Sequence, residues 1–407
     1  MFHQIKNTSV FRLIAAALVA AMLSAIPGQS GYAQVIVPLQ VSGGRLHPTG
    51  AFNPAQIIGL KVDQRNPFHF YFVMDKGEAP LPDGQKRGEY RKLIKHFLAS
   101  LTIPNKDVWV NLSPYESQRI IGDNFAKTST GQELLAQDYV LKQFTASLMY
   151  PEEDIGRGFW QKVYSQAYDR LGTTDIPIDT FNKIWIRADK ADVYQKDGSV
   201  FLINSHLKVM LEKDYLAEKA SHAWPSEAAG LKVGDASGET REFTVNAVRE
   251  IIIPIIEKEV NEGKNFAALR QIYNAMILAT WFKKTLKENL LSQVYTDRNK
   301  VAGVDVGDPQ AKDKIYARYL EAFKAGVFNY IKEEEDPLTH ETLPRKYFSG
   351  GVVGVEENII ADASQESATD FLSKSDREIV DTDLVQTIDS WGPPSSVRSR
   401  PLRPLPS

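Results

Sequence analysis

Cysteine is absent from this chain of 407 residues. Its absence excludes disulfides, thiol nucleophiles, cysteine-ligated zinc and iron–sulfur clusters. Hydrophobic residues make up 43% of the chain and charged residues 24%, which is typical of a folded globular protein. We therefore expect a protein that is stabilised by the packing of its core, without covalent cross-links.

Neither sign of charge is in large excess, because 48 basic residues stand against 51 acidic ones. The surplus of acid is concentrated in residues 351–407, which hold ten acidic and five basic residues. The segment 34–350 is balanced. A nucleic-acid-binding protein needs a basic footprint, so the composition argues against nucleic acid as a partner.

Common catalytic and nucleotide-binding motifs are also missing. The chain has no H-E-x-x-H, no G-x-x-x-x-G-K-[ST], no G-x-G-x-x-G and no G-x-S-x-G. Its histidines are scattered, and no two of them stand at the spacing of metal ligands. The sequence therefore predicts neither a cofactor nor a metal site, and only a metal site assembled from distant histidines stays open.

Only one long apolar run is present, near the N-terminus. Lys6 and Arg12 provide positive charge before the apolar stretch 13–26, and the small residues Gly31 and Ala33 follow it. This pattern is typical of a secretory signal peptide. The run of 14 residues is shorter than the ~20 that span a bilayer, so a retained membrane anchor is the weaker alternative. We expect an exported protein, periplasmic or extracellular, and the lack of cysteine favours a bacterial envelope.

Strand and helix patterns predict an α+β fold with a helix-dominated core and two β-hairpins. Two β-rich runs within 55–77 flank an Asn-Pro turn, and two more within 181–217 flank the turn Q-K-D-G-S. Apolar residues recur at helical spacing in several longer segments. The main predicted helices are 89–101, 131–149, 156–171, 266–291 and 310–331. We expect the helix 266–291 at the centre of the core, since it is apolar around most of its circumference.

The same patterns divide the chain into four parts. A signal peptide covers 1–33, a subdomain of hairpin and helix covers 34–112, and a helix-rich α+β core domain covers 113–350. Residues 351–407 are rich in Asp, Glu, Ser and Pro. Such a segment buries too little apolar surface to offset the entropy of ordering it. We therefore predict a disordered acidic and proline-rich tail over 351–407.

One predicted helix carries two opposite charges that are separated by about one helical turn. The predicted helix 131–149 has an apolar side, and Asp138 and Lys142 stand four residues apart on another side. Opposite charges at this spacing stabilise a helix by a few tenths of a kcal/mol. The apolar side consists of Leu134, Leu141, Phe144 and Leu148. The pattern assigns the pair a local role in the helix.

Candidate catalytic residues lie in the stretch ASLMYPEEDIGRGFWQKVY, residues 146–164, which places acidic residues beside aromatic ones. A glycoside hydrolase needs two carboxyl groups separated by about 5–10 Å. Glu152 and Glu153 of this stretch, together with Glu116, are the candidate carboxylates. We weigh this hypothesis against a purely structural role of the same stretch.

Two tryptophans extend the catalytic hypothesis, because Trp109 or Trp160 could stack on a sugar ring as a binding residue. The structural interpretation is more specific. Pro151 cannot continue the preceding helix, and Asp154 is well placed as N-cap of the next one. The two glutamates then lie at the positive end of that helix, where negative charge is favourable. In this interpretation Trp160 belongs to the core.

Five unbroken segments between residues 55 and 351 have a distinctive sequence. They are VWVNLSPYE, LLAQDYVLKQFTASLMYPEE, FNKIWI, EKEVNEGKNFAALRQIYNAMILATWFKK and PRKYFSGG. Together they resemble a family of uncharacterised exported proteins of unknown function, of the Gram-negative envelope type. The resemblance implies an envelope location and one shared folded core. It implies no activity and no catalytic residues.

A well-patterned core and the missing motifs favour a non-enzymatic role. We expect an exported soluble protein that binds a protein or cell-envelope partner or provides structural support. One alternative is an envelope hydrolase that acts on glycan or peptide through a carboxylate pair. Another is a binding module that works through the tail. R-S-R-P-L-R-P at 398–404 matches a polyproline ligand, but a flexible, weakly basic end is the favoured interpretation of this segment.

Overall fold

The computed structural model describes most of the chain between residues 45 and 381. The described residues are 45–62, 70–78, 82–113, 117–172, 174, 183–196, 198–222, 245–287, 308, 310–324, 333–335, 342–344, 350–373 and 377–381. The predicted signal peptide, Glu116 and residues 382–407 lie outside them. So does the Asn-Pro turn that was predicted between the first two strands.

The strands are numbered in chain order. They are β1 (Gln56–Val62), β2 (Phe70–Asp75), β3 (Trp109–Val110), β4 (Ile184–Lys196), β5 (Ser199–Leu211), β6 (Glu333–Glu335), β7 (Thr342–Pro344), β8 (Gly350–Val353), β9 (Ile360–Asp362) and β10 (Arg377–Asp381). Eight of them form one mixed sheet in the order β10-β2-β1-β5-β4-β8-β3, with β9 also paired to β4. β8 and β9 run parallel to β4, and the other pairs of this sheet are antiparallel. β6 and β7 form a separate pair.

Helices occupy more of the described residues than strands do. They are α1 (Asp83–Thr102), α2 (Asp123–Ala126), α3 (Ser129–Leu148), α4 (Asp154–Leu171), α5 (Glu212–His222), α6 (Ile253–Glu262), α7 (Ala267–Lys287), α8 (Ala311–Lys324) and α9 (Gln365–Leu372). The α+β class and the helix-dominated core are thus confirmed. Both predicted hairpins exist, as β1–β2 and β4–β5, but two hairpins understate a sheet of eight strands.

Alternation of side chains explains how the sheet meets the helices. In β2, Phe70, Phe72 and Met74 are buried while the residues between them are partly exposed, which is the two-residue period of a strand with one covered face. The ring of Phe70 makes edge contacts with Phe97 of α1 at 5.4 Å and with Phe282 of α7 at 5.0 Å. The first hairpin therefore packs directly on α1 and α7.

α3 and α7 form the interior of the helical layer. Sixteen of the twenty residues of α3 are buried, and every residue of α7 from 271 to 280 is buried. The expectation that α7 is central is therefore confirmed. α3 is buried on all sides as well, although its sequence includes several polar residues. A helix that is covered all round has no solvent face on which to place them.

The predicted start of the disordered tail, at residue 351, is too early. The described residues from 350 to 381 include the strands β8, β9 and β10 and the helix α9. β10 pairs along its whole length with β2, some 300 residues earlier in the chain. Composition alone cannot reveal this, because each of these strands is short and gains its stability from a distant partner. The remainder of the predicted tail, 382–407, lies outside the described residues.

Among the described residues, no helix is both long enough and apolar enough to cross a membrane.

Candidate functional site

The predicted catalytic stretch forms the joint between α3 and α4. α3 ends at Leu148 and α4 begins at Asp154, with Glu153 in the N-cap position, one residue before the predicted cap. The carboxylate of Asp154 is exposed and pairs with Arg157 at 3.1 Å. The backbone therefore follows the structural interpretation, in which one helix ends and the next begins. The N-cap lies one residue earlier than predicted.

Glu152 and Glu153 face a basic residue from the N-terminal part of the chain. Nη1 of Arg45 donates to Oε1 of Glu153 at 2.9 Å, and its Nη2 lies 4.0 Å from Oε2 of Glu152. The guanidinium group also stacks over the ring of Tyr150, 3.5 Å from its centroid. The carboxylate of Glu153 is thus bonded to another segment of the same protein, while that of Glu152 is largely exposed and lies at the distance limit of an ion pair.

Trp160 packs into the interior. Only 5% of its surface is exposed, and its indole N–H donates to the carbonyl of Met149 at 2.8 Å. Phe159 contacts it edge-on at 4.9 Å between ring centroids. The indole of Trp160 is therefore a core group that closes the joint, and it offers no face to a sugar. Trp109, the other candidate, is half-buried in β3.

Residues 45–53 form an extended segment that we call the N-terminal strap. The backbone N–H of Leu46 donates to Oγ of Ser147 at the end of α3, at 3.0 Å. The N–H of Phe52 donates to the carbonyl of Glu262 at 2.8 Å, and Arg270 donates to the carbonyl of Phe52 at 2.7 Å. The strap therefore ties the end of α3 to the junction of α6 and α7.

Glu259 is the main anchor of the strap. It is buried, and its carboxylate accepts bonds from the N–H and hydroxyl of Thr49, at 2.8 and 2.6 Å, and from the side-chain amide of Asn265 at 2.8 Å. A methyl group at Gly263 would collide with this carboxylate unless the side chain of Glu259 moved. The side-chain amide of Asn265 also donates to the strap carbonyl of His47 at 2.9 Å, so it bridges the strap and Glu259.

A surface groove of about 320 Å³ runs beside this anchor, between the strap and α6. Its lining is Pro48, Thr49, Pro254, Ile255, Lys258, Glu259, Glu262 and Gly263. Both oxygens of Glu259 are engaged by the protein itself. The groove therefore combines two prolines and an isoleucine with the charged side chains of Lys258 and Glu262.

A buried ion pair lies on the polar side of α3. Nζ of Lys142 donates to Oδ2 of Asp138 at 2.7 Å and lies 3.3 Å from the carbonyl of Gly350 in β8. The same Oδ2 accepts the backbone N–H of Leu112 at 2.7 Å. Asp138 is fully buried and Lys142 is 3% exposed. The spacing of this pair was visible in the sequence, but its burial was not.

Burial acts on the two charges in opposite directions. It raises the pKa of Asp138, and the attraction of Lys142 opposes that rise. It lowers the pKa of Lys142, and Asp138 opposes that fall. Oδ1 of Asp138 and Oε1 of the neighbouring Gln137 are both buried without a hydrogen-bond partner among the described residues. The pair therefore sits in a polar part of the core that is incompletely satisfied, which is a common property of functional positions.

A second polar cluster joins α1 to α3. Oε2 of Glu133 lies 3.8 Å from Nζ of Lys92, and its side chain is 10% exposed. Burial raises the pKa of Glu133; Lys92 opposes this rise and Glu89 adds to it. Glu89 in turn accepts a bond from Gln271 at 2.9 Å. Sequence reasoning missed this cluster, since its members come from three helices.

His96 lies one turn beyond Lys92 on α1. Its Nδ1 is 2.9 Å from the hydroxyl of Thr130, and the residue is only 1% exposed. Burial lowers the pKa of His96 well below its usual value, and Lys92 and Lys95 add to the fall. Its Nε2 is buried without a hydrogen-bond partner in the described structure. His96 is therefore held neutral in the core.

Metal binding finds no support in the part of the chain that the structure describes, which holds no group of three or more His, Cys, Asp or Glu side chains suited to a metal ion. Comparisons with protein families, with curated proteins and with solved structures find no match for this chain.

Proposed function

We propose that this chain is an exported, soluble protein of the bacterial envelope, periplasmic or extracellular, that acts by binding or structural support. The observation that carries the proposal is that the candidate carboxylates contact another part of the same chain. Glu153 is hydrogen-bonded to Arg45 of the strap, Glu152 lies 4.0 Å from the same guanidinium group, and the nearby Trp160 is buried. Residues of this kind serve the stability of a fold. The pattern of the first 33 residues supports export.

Fractionation of cells that express the full chain tests the export. We expect the protein in the periplasm or medium, with an N-terminus at residue 34 in mass spectrometry. A chain that stays in the cytoplasm with residues 1–33 intact would refute export. Co-purification from the native envelope, after gentle cross-linking, tests the binding role, and a reproducible envelope partner is expected. Recovery of the chain alone under the same conditions would argue against that role.

A second candidate is the envelope hydrolase, with Glu133 as its catalytic acid in place of the carboxylates predicted from the sequence. Glu133 combines a largely buried side chain, a raised pKa and an Oε1 without a hydrogen-bond partner among the described residues. Glu89 is close enough to add to that rise. A carboxyl group of raised pKa near a second carboxylate is one of the features that general acid catalysis uses.

Hydrolysis of glycan and peptide substrates by the purified chain tests this candidate. If any activity is found, Glu133→Gln should abolish it, whereas Glu152→Gln and Glu153→Gln should leave it unchanged. These two variants are matched controls because their carboxylates bind Arg45. Full activity in Glu133→Gln would eliminate the hydrolase based on Glu133. Loss of activity only in Glu116→Gln, Glu152→Gln or Glu153→Gln would restore the sequence-based candidates.

A further inference from the structure

β10 lies at one edge of the eight-stranded sheet. It pairs with β2 on one side, and no strand of the described residues pairs with its other side. Ile379, at the middle of β10, is 71% exposed. Only one other large apolar side chain in the described part of the chain is comparably exposed, Tyr168 at 64%. An open edge with an exposed apolar residue is a template for pairing with another strand.

The strand is held firmly on its inner side. Five consecutive residues of β10 are in register with β2, from Arg377 opposite Asp75 to Asp381 opposite Tyr71. Glu378 forms an ion pair with Lys86 of α1 and accepts a bond from the hydroxyl of Tyr90 at 3.3 Å. The outer edge is therefore presented in an extended conformation, which lowers the entropy cost of adding a strand.

The sequence of β10, R-E-I-V-D, is complementary to itself in the antiparallel direction. A twofold axis through Ile379 places Ile379 opposite its own copy. It also places Arg377, whose guanidinium lies 4.1 Å from the ring centroid of Phe371 in its own chain, opposite sequence position 381 of the second copy, an aspartate. Opposite charges directly across a strand pair are favourable, and like charges are not. An axis through Glu378 would instead place two glutamates opposite each other, and an axis through Val380 would place Ile379 opposite an aspartate. One register therefore fits clearly better than its neighbours.

We propose that β10 is a self-association edge, through which two copies of this chain pair antiparallel about Ile379 and join their sheets into one. The twofold arrangement uses the same surface on both copies, as most homodimers do. Five residues a side make a small interface, well below the ~800 Å² per partner of a standard complex. The dimer is therefore weak and depends on concentration.

A cysteine cross-link tests the register, because the natural chain contains no cysteine. Residues opposite each other in an antiparallel pair have Cα atoms about 4.5–5.5 Å apart, within the range that a disulfide spans. Ile379→Cys should therefore form a disulfide-linked dimer of the full chain under mild oxidation. Tyr168→Cys is the matched control, since it places a cysteine at the other exposed apolar position and should stay monomeric.

Solution mass provides a second measurement that needs no new bond. Light scattering across a concentration series should show the mass of the wild-type chain rising toward two copies, and Ile379→Lys should abolish the rise by placing two like charges at the axis. Circular dichroism confirms that the variant is folded. A wild-type chain that stays monomeric throughout, with Ile379→Cys linking no faster than Tyr168→Cys, would overturn the proposal. An Ile379→Lys chain that still dimerises would place the interface elsewhere.

Discussion

Lys142 connects two parts of the core through a single ammonium group. It binds a carboxylate one helical turn earlier in α3 and approaches the carbonyl of Gly350 in β8. Asp138 extends the connection to the backbone of Leu112. Two charges taken out of water are costly, and the cost is offset only while both partners remain. The pair therefore constrains how α3 meets the end of the sheet.

Removal of one partner should be far worse than removal of both. Asp138→Ala leaves the ammonium of Lys142 buried without its carboxylate, and we expect a loss of about 3–5 kcal/mol in the free energy of unfolding. The double variant Asp138→Leu/Lys142→Met replaces the pair by apolar groups and should lie much closer to the wild type. Urea unfolding of all three chains measures this. Equal losses for the single and double variants would contradict it.

His96 should make the stability of the fold sensitive to acid. Its pKa is lowered in the folded state, so below about pH 6.5 the unfolded chain binds a proton that the folded chain does not. The contribution of the neutral imidazole is thus complete above that pH and is lost as the pH falls toward the folded pKa, by at most ~1.4 kcal/mol per pH unit.

Comparison of the wild type with His96→Gln isolates this effect from the other titrating groups. The glutamine can keep a bond to the hydroxyl of Thr130, the partner of Nδ1. Between pH 7 and pH 5, the wild type should lose about 1–2 kcal/mol more of its unfolding free energy than the variant does. Urea unfolding at both pH values gives the two slopes, and identical slopes would rule out a neutral buried His96.

Among the elements, β8 is closely enclosed by its neighbours. It lies between β4 and β3, parallel to the first and antiparallel to the second. A methyl group at Gly350 would collide with the carbonyl of Ile184, and one at Gly351 with the carbonyl of Val110. The pair of glycines is what allows the two neighbouring strands to approach.

Gly351→Ala should therefore disrupt the β3–β8–β4 part of the sheet. We expect a loss of several kcal/mol in the free energy of unfolding, or failure to fold, because backbone carbonyls cannot move aside as a flexible side chain can. Gly158→Ala is the control, because that glycine is exposed in α4 with nothing near its Cβ position. Alanine there should stabilise the helix by ~1 kcal/mol. A thermal melt that shows similar effects for both variants would contradict the account.

Local sequence patterns predicted the long helices and strands, but they missed the features that depend on contacts between distant residues. The two β-rich runs that flank Q-K-D-G-S and the helical period in α3 were visible, because each lies within one contiguous segment. β10 was missed, since its five residues stand in an acidic segment and pair with β2. Asp138 and Lys142 were recognised as a pair, yet their burial depends on β8 and Leu112. The Arg45 contact with Glu153 spans 108 residues, and no local signal marks it.

At the scale of the whole molecule, the first and the last described segments of the chain both bind to distant parts of the fold. The strap reaches the α6–α7 junction, and β10 completes the sheet beside β2. Strands from the predicted N-terminal part, 34–112, and from 113–350 belong to one sheet, with β1 paired to β5. The late segment 350–381 contributes three further strands to it.

Two truncations distinguish the late strands from residues 382–407. Deletion of 351–407 removes most of β8 and all of β9 and β10, and we expect loss of cooperative unfolding because β4 and β2 lose their partners. Deletion of 382–407 leaves all contacts between the described residues in place and should melt cooperatively near the temperature of the full chain. Thermal melts by circular dichroism compare the two. A chain without 351–407 that melts like the full protein would show that these strands are dispensable.

The pairing of β10 with β2 also limits how far the chain can fold while it is being synthesised. Tyr90 and Glu378 are bonded across 288 residues, and contacts between such distant residues form slowly because a long loop must close first. The outer edge of β2 therefore stays open on the growing chain until residue 381 has been synthesised. If the protein is exported as we propose, this late partner keeps the chain from completing its fold early, and so keeps it suitable for threading through a translocation pore.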